Sequence, residues 1–251
     1  MSSNTARIIG SYISPYVRKV LVALDVKGIA YEIDPIIPFM GDDAFSRLSP
    51  VRRVPVLIDE RVTLADSSVI CQYLEDRYPT PALYPADVAD RARARWLEEY
   101  ADTRIGEVFI WRLFNQRVIN RFVWGEQPDQ AVIDRAISQE IPDILDYLEP
   151  IAPNAGFMFG DALSIADISI AAFFRNAAFA RYSVDAQRWP KVAAYIARVL
   201  DAGPFVRLRA FEDLSCRTPI DAHREALRQA GAPIMAESFG TSKPRRGVLQ
   251  I

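Results

Sequence analysis

"RRVPVLIDERVTLADSSVICQYLEDRY" (52–78) sets the class of fold. "VPVLID" (54–59) and "VTLA" (62–65) are apolar runs flanking the turn "DERV", the pattern of an antiparallel hairpin. "SSVICQYLEDRY" (67–78) then places Val69, Ile70, Tyr73 and Leu74 on one helical face. Upstream, "ARIIG" (6–10) reads as a strand. Residues 15–27 follow with Val17, Val20, Leu21 and Leu24 at helical spacing, and with Arg18, Lys19, Asp25 and Lys27 mostly elsewhere. Gly28 ends that helix as a left-handed cap. "AYEIDPI" (30–36) returns as a strand, and "DDAFSRL" (42–48) is a short irregular helix. The order is β-α-β-α-β-β-α. A parallel pair joined by a helix, then a hairpin and a closing helix, makes a compact α/β unit.

Downstream the strand signal fades. "YPTPALYPAD" (78–87) is proline-rich and reads as a linker. Residues 88–118 carry a long helical pattern. "DQAVIDRAISQEIPDILDYLEPI" (129–151) is a second helix, stepped or kinked near Pro142. "SIADISIAAFFRNAAFARY" (164–182) is the most apolar and reads as the central core helix. "WPKVAAYIARVLDAG" (189–203) and "PFVRLRAFEDL" (204–214) follow as a fourth helix and a short fifth. The expected division is an α/β domain over 1–80, a linker over 81–87, an all-α domain over 88–214, and an extension over 215–251 with one short helix near 221–230.

Composition narrows the function. The 251 residues suffice for a sizeable core, and half are hydrophobic against a quarter charged, as in ordinary globular chains. A formal charge of -2 gives no global electrostatic reason to expect nucleic acid or an anionic membrane. The apolar runs are short and broken by charge, so no transmembrane helix is expected. "MSSNTARIIG" lacks a signal-peptide core, which makes the cytoplasm the default expectation. There are two cysteines, Cys71 and Cys216, and one histidine, His223. Cys71 lies in an apolar-periodic run and reads as a small core residue. A disulfide is not expected in a reducing compartment. One histidine in a polar stretch gives no triad, and neither CxxC nor HxxxH supports a metal site.

Four stretches remain for chemistry. In "ISPYVRKV" (13–20), Ser14 reads as a helix N-cap with Pro15 as the first helical residue. The same hydroxyl also stands at a natural anion site. In "RRVPVLID" (52–59), Pro55 admits two readings. One is a trans proline opening an edge strand. The other is a cis bond that turns Val54 N–H and C=O toward a peptide-like ligand. In "ADSSVI" (65–70), Asp66 and Ser67 stand where a helix begins. They form either a plain cap or a site that holds a carboxylate and an ammonium. In "GDALSIADI" (160–168), Ser164 and Asp167 read as a structural capping box, with Leu163 and Ile168 as the staple.

Together "SPYVRKV", "LSPVRRVPVLID", "LADSSVICQYLEDRYP" and "GDALSIADISIAAFF" resemble the glutathione transferase family over residues 5 to about 212. The pattern looks like the serine-type classes, especially the plant tau pattern and related bacterial members. The resemblance implies a thioredoxin-like first domain and glutathione as co-substrate. It implies that Ser14 hydrogen-bonds the glutathione thiolate and that Val54, before cis-Pro55, pairs with the cysteinyl backbone. Asp66 and Ser67 would grip the γ-glutamyl end, where the family more often has Glu or Gln at the first position. Arg53 would approach the glycine carboxylate, with Arg52 its adjacent substitute. Family members that form mixed disulfides carry cysteine where this chain has Ser14. A second pocket for a small apolar electrophile would use Phe39, Trp111 and Phe114; the alternative for each is ordinary core packing. The implied protein is a cytosolic homodimeric glutathione transferase. The alternatives are a glutathione-dependent isomerase, dehalogenase, ether-cleaving enzyme or peroxidase, and a non-catalytic binding protein.

Overall fold

The computed structural model describes residues 5–246. Parts of the expected first domain (1–4) and of the extension (247–251) lie outside the described residues. The chain divides into two compact units. One comprises the residues up to Ala82 together with those from Pro204 onward; the other is Leu83–Gly203.

The first unit follows the expected order. Strand β1 (Ala6–Ile9) leads to helix α1 (Pro15–Val26), strand β2 (Tyr31–Asp34), helix α2 (Asp43–Leu48), strands β3 (Val56–Ile58) and β4 (Thr63–Leu64), and helix α3 (Ser67–Arg77). The sheet order is β2-β1-β3-β4. Strands β1 and β2 are parallel, with Ile8 opposite Ile33. Strands β1 and β3 are antiparallel, with Ile8 opposite Leu57, and β3 pairs antiparallel with β4. Ile8, Ile33 and Leu57 therefore line one row across the sheet, and all three are buried. This is a thioredoxin-like arrangement, as the 52–78 hairpin and helix require. Helix α1 begins at Pro15 and unwinds into Gly28 at φ 65°, the left-handed stop.

Helix α1 departs from expectation on its polar side. Arg18 and Lys19 are 0% and 1% exposed. The periodicity puts them away from the sheet, but helix α9 (Gly203–Arg217) covers that side. Glu212 of α9 forms a buried ion pair with Arg18. Phe211 packs on the ring of Tyr12 at 5.2 Å. Arg207 pairs with Asp25. Lys19 turns instead to α3, donating to Ser68 Oγ at 2.9 Å. The "PFVRLRAFEDL" helix, grouped by its periodicity with the all-α region, thus packs on the first unit.

After α9 the chain forms helix α10 (His223–Gln229) and returns to the sheet. Ile234 bridges Ile33 in parallel, so the segment extends the β2 edge. An open strand edge is otherwise a template for unwanted pairing.

The second unit is helical. Helix α4 (Val88–Tyr100) runs on through widened π-type turns (Ala101–Ile105 and Glu107–Trp124) and stops at Gly125, φ 67°. Helix α5 (Gln130–Arg135) passes through another widened turn (Ala136–Glu140) into helix α6 (Ile141–Leu148). Pro142 lies in the first turn of α6, directly after that widened turn, where the expected step falls. Helix α7 (Ile165–Phe179) is buried along nearly its whole length, as a central helix must be. Helix α8 (Pro190–Leu200) completes the set. Within the expected linker, Leu83 and Tyr84 are buried in this unit; Leu83 C=O accepts from Ile165 N–H at 2.8 Å.

Candidate functional site

Ser14 caps α1. Its backbone is extended (φ -69°, ψ 127°), and Val17 N–H donates to its Oγ at 3.3 Å. A serine hydroxyl accepts through its lone pairs and donates once. Here an accepting position is used, while the half-buried hydroxyl donates to no described residue. Its proton is therefore free for a ligand at the positive end of α1. The neighbouring phenol is committed elsewhere. Tyr12 is buried with its OH 3.3 Å from Tyr31 OH, and loss of solvent pushes both phenols above their usual range.

The Val54–Pro55 bond is cis rather than trans. Val54 is buried, and neither its N–H nor its C=O has a partner among the described residues. The preceding turn is tightly held. Ser49 Oγ donates to Arg53 C=O at 2.9 Å and accepts from Arg53 N–H at 3.0 Å. Arg52, at φ 52°, turns its guanidinium into the α2 loop, on Gly41 C=O at 2.8 Å and on Ser46 Oγ. Arg53 is exposed and its guanidinium has no partner among the described residues. Of the two adjacent cations, Arg52 is structural and Arg53 is available.

Asp66 caps α3, accepting from Val69 N–H at 3.0 Å. Its cap role is thus real, and the residue is exposed. Ser67 is buried, yet its hydroxyl bonds to no described residue. Two helix N-termini, each with a serine hydroxyl free to donate, therefore belong to one unit.

Two residues that sequence reasoning passes over draw these parts together. Gly10 has φ 146° at the end of β1, a region that side chains avoid. A Cβ there would lie 2.4 Å from Val17 Cγ2 and 3.0 Å from Val54 Cβ. The turn that carries Ser14 and the turn that carries Val54 thus meet over a glycine. The second is Lys19, whose ammonium joins α1 to Ser68 in the first turn of α3. A glycine closing an apolar run is a weak signal by itself. A lysine beside an arginine reads as a solvated face.

Of the residues expected around a second pocket, Phe39 is half-buried in a short turn (Pro38–Met40) of the first unit. Trp111 is half-buried and Phe114 buried on the long helix of the second. Ser164 and Asp167 form the expected capping box. Cys71 is buried and Cys216 exposed, and neither forms a disulfide among the described residues. Among the described residues no cluster of three or more His, Cys, Asp or Glu could hold a metal ion, and no helix is long and apolar enough to cross a membrane.

Comparison with known proteins decides the family. Residues 8–82 match the model "Glutathione S-transferase, N-terminal domain", and residues 130–198 match "Glutathione S-transferase, C-terminal domain". A maleylacetoacetate isomerase of Pseudomonas aeruginosa is 32% identical over 181 residues, covering 69% of this chain and 81% of its own. The chain belongs to the glutathione S-transferase family. An uncharacterized GST-like protein of Escherichia coli, YibF, is 36% identical over 166 residues, or 66% of this chain and 78% of its own. Among solved structures, a maleyl pyruvate isomerase described as a bacterial zeta-class glutathione S-transferase superposes with a TM-score of 0.66 at 28% identity, covering 80% of this chain and 95% of its own. These relatives lean to the zeta class and to isomerases, and their names do not point clearly to the plant tau pattern. The family is one of glutathione-dependent enzymes.

Proposed function

We propose that this glutathione S-transferase family member binds glutathione on its first unit and uses Ser14 to hold the sulfur as a thiolate. The observation that carries the reading is the Ser14 hydroxyl, accepting from Val17 N–H while its own proton remains unspent. The unpaired Val54 backbone matches the cysteinyl unit of a peptide-like ligand. Ser67 and the first N–H groups of α3 suit the γ-glutamyl carboxylate, with Asp66 beside its ammonium. Arg53 suits the glycine carboxylate.

The energetics are of the right size. A free thiol has a pKa of about 8.5, and only the thiolate is a good nucleophile. A hydrogen bond to a charged acceptor contributes about 1.5–3 kcal/mol. At about 1.4 kcal/mol per unit, that lowers the thiol pKa by about one to two units. Ser14 need not act as a base. The thiolate then attacks an electrophilic carbon, and in conjugation the carbon–sulfur bond persists as a leaving group departs or a proton is taken up.

A second outcome of the same attack is favoured by the isomerases among the relatives. Addition to the double bond of a cis-configured unsaturated keto acid leaves a single bond free to rotate. Expulsion of the thiolate then returns the trans isomer and unchanged glutathione. Both outcomes begin with Ser14. The serine-type assignment, the homodimer and the cytoplasmic setting belong to this reading.

An ultraviolet titration of bound glutathione tests the shared step. Ser14→Ala should raise the bound thiol pKa by about one to two units. An unchanged thiol pKa would overturn the role given to Ser14. Turnover screening against chloro-nitroaromatics, isothiocyanates, hydroperoxides, aryl ethers and a cis-configured keto acid then separates conjugation from isomerisation and the other chemistries. Absence of any turnover, with tight binding of apolar ligands, would favour a binding protein instead.

A further inference from the structure

The C-terminal segment does more than cover a strand edge. Its anchor is Asp34, the last residue of β2, whose side chain is fully buried. Arg224 pairs with that carboxylate at 2.6 Å, Phe239 N–H donates to it at 2.7 Å, and Ser238 Oγ donates at 3.0 Å. Beyond the anchor the segment pairs along the loop between β2 and α2. Asp42 N–H donates to Phe239 C=O at 2.8 Å, Thr241 N–H to Met40 C=O at 2.7 Å, and Arg245 N–H to Phe39 C=O at 2.7 Å. Gly41 and Gly240 form an antiparallel bridge, and Arg245 pairs with Asp43 at 2.5 Å.

The same loop is also held by Arg52, through Gly41 C=O, with Ser46 Oγ of α2 as a further partner. Arg52 directly precedes Arg53, Val54 and cis-Pro55. An unbroken chain of contacts therefore runs from the C-terminal segment, through the loop, to the turn that carries the unpaired backbone of Val54.

We infer that residues 238–245 and Arg52 are positioning elements of the glutathione site, setting affinity for the tripeptide by fixing the 52–55 turn. The inference rests on the glutathione reading above. It assigns the segment to glutathione binding and leaves the second substrate untouched. A flexible turn must lose conformational freedom when ligand binds, whereas a braced one has lost it already.

The test uses the full-length chain. Thr241→Pro deletes the N–H that Met40 accepts, and Arg245→Ala deletes the ion pair with Asp43. Each should weaken glutathione binding about fivefold to tenfold, the equivalent of one net hydrogen bond. Both kcat at saturating glutathione and KM for the second substrate should stay within about twofold, since the reacting groups are unmoved. Amide exchange at residues 39–42 should quicken in both variants. Combined with Arg52→Lys, the losses should be less than additive, because all three act through one loop. Arg228→Ala, on an exposed pair within α10, should leave binding unchanged. Faster loop exchange with unchanged glutathione affinity would overturn the inference and leave the glutathione reading standing. A wild-type chain that binds no glutathione would overturn both. Should Thr241→Pro fail to fold, Arg245→Ala decides alone.

Discussion

At the scale of single residues, Ser14 and Asp66 each begin a helix by accepting one backbone N–H, from Val17 and Val69. Ser14 and Asp66 are legible as caps because an N-cap is a local event, written within four residues. The second use proposed for them depends on what stands nearby, and the residue that brings Val54 against the Ser14 turn is Gly10, whose importance is invisible without its φ and its two neighbours. Arg52 and Arg53 make the same point: identical in type and adjacent, they separate only once one turns into the α2 loop. The capping box shows the opposite case, where a local motif conceals a larger role. Asp167 accepts from Ser164 N–H at 2.9 Å and Ser164 Oγ at 2.6 Å, as the motif implies. It also accepts from Met158 N–H at 2.8 Å and Tyr195 OH at 2.7 Å. Burial, then the Asp167 carboxylate, pushes the Tyr195 phenol well above its usual range. Ser164→Ala should cost about 1 kcal/mol, the worth of a cap. Asp167→Ala strands several buried donors and should cost about 3 kcal/mol or more. Denaturant unfolding of the two variants measures the difference, and equal losses would reduce Asp167 to an ordinary cap.

At the scale of elements, β1 to α3 could be read in order because each is bounded by its own punctuation: Pro15, Gly28, the 59–62 turn, Asp66. Helix α1 was legible in extent but not in surroundings. Its apolar stripe is correct, and the buried state of Arg18 and Lys19 follows from partners that lie far along the chain. Helix α10 carries a further consequence of burial. His223 Nε2 lies 2.8 Å from Thr218 C=O, and loss of solvent pushes its pKa below the usual 6.5, outweighing the backbone carbonyls and Asp221 that favour the charged ring. A histidine with a depressed folded pKa takes its proton first in the unfolded chain. Its contribution to stability is thus complete above pH 6.5 and is lost as pH falls from there through the folded value. The loss can reach about 1.4 kcal/mol per pH unit for one group. Thermal unfolding from pH 8 to pH 5 should therefore show a wild-type decline below about 6.5 that His223→Gln lacks. Parallel curves for the two proteins would remove His223 as its source.

At the scale of the whole molecule, the chain leaves the first unit at Ala82 and returns to it at Pro204. No periodicity announces that return, because an amphipathic helix specifies an apolar face without naming what covers it. The closing contacts are among the most distant in sequence: Arg18 and Glu212 are 194 positions apart, and Arg224 and Asp34 are 190 apart. The first buries both charges, and the second buries Asp34 beneath a guanidinium that is itself 26% exposed. Removing one member of a buried pair costs about 3–5 kcal/mol, because the remaining charge is stranded. Glu212→Ala should accordingly destabilise the chain by about that amount, and Glu212→Ala with Arg18→Met should recover part of it. The same logic applies to the whole returning segment. A fragment of residues 1–82 would expose Arg18, the Tyr12 ring beneath Phe211 and the open edge of β2 at once. A small domain has only a few kcal/mol to lose. The fragment should therefore show no cooperative thermal transition. Joining residues 204–251 to it through a flexible linker should restore one. A cooperative transition in the 1–82 fragment alone would mean that the closing helix and strap decorate a unit that folds without them.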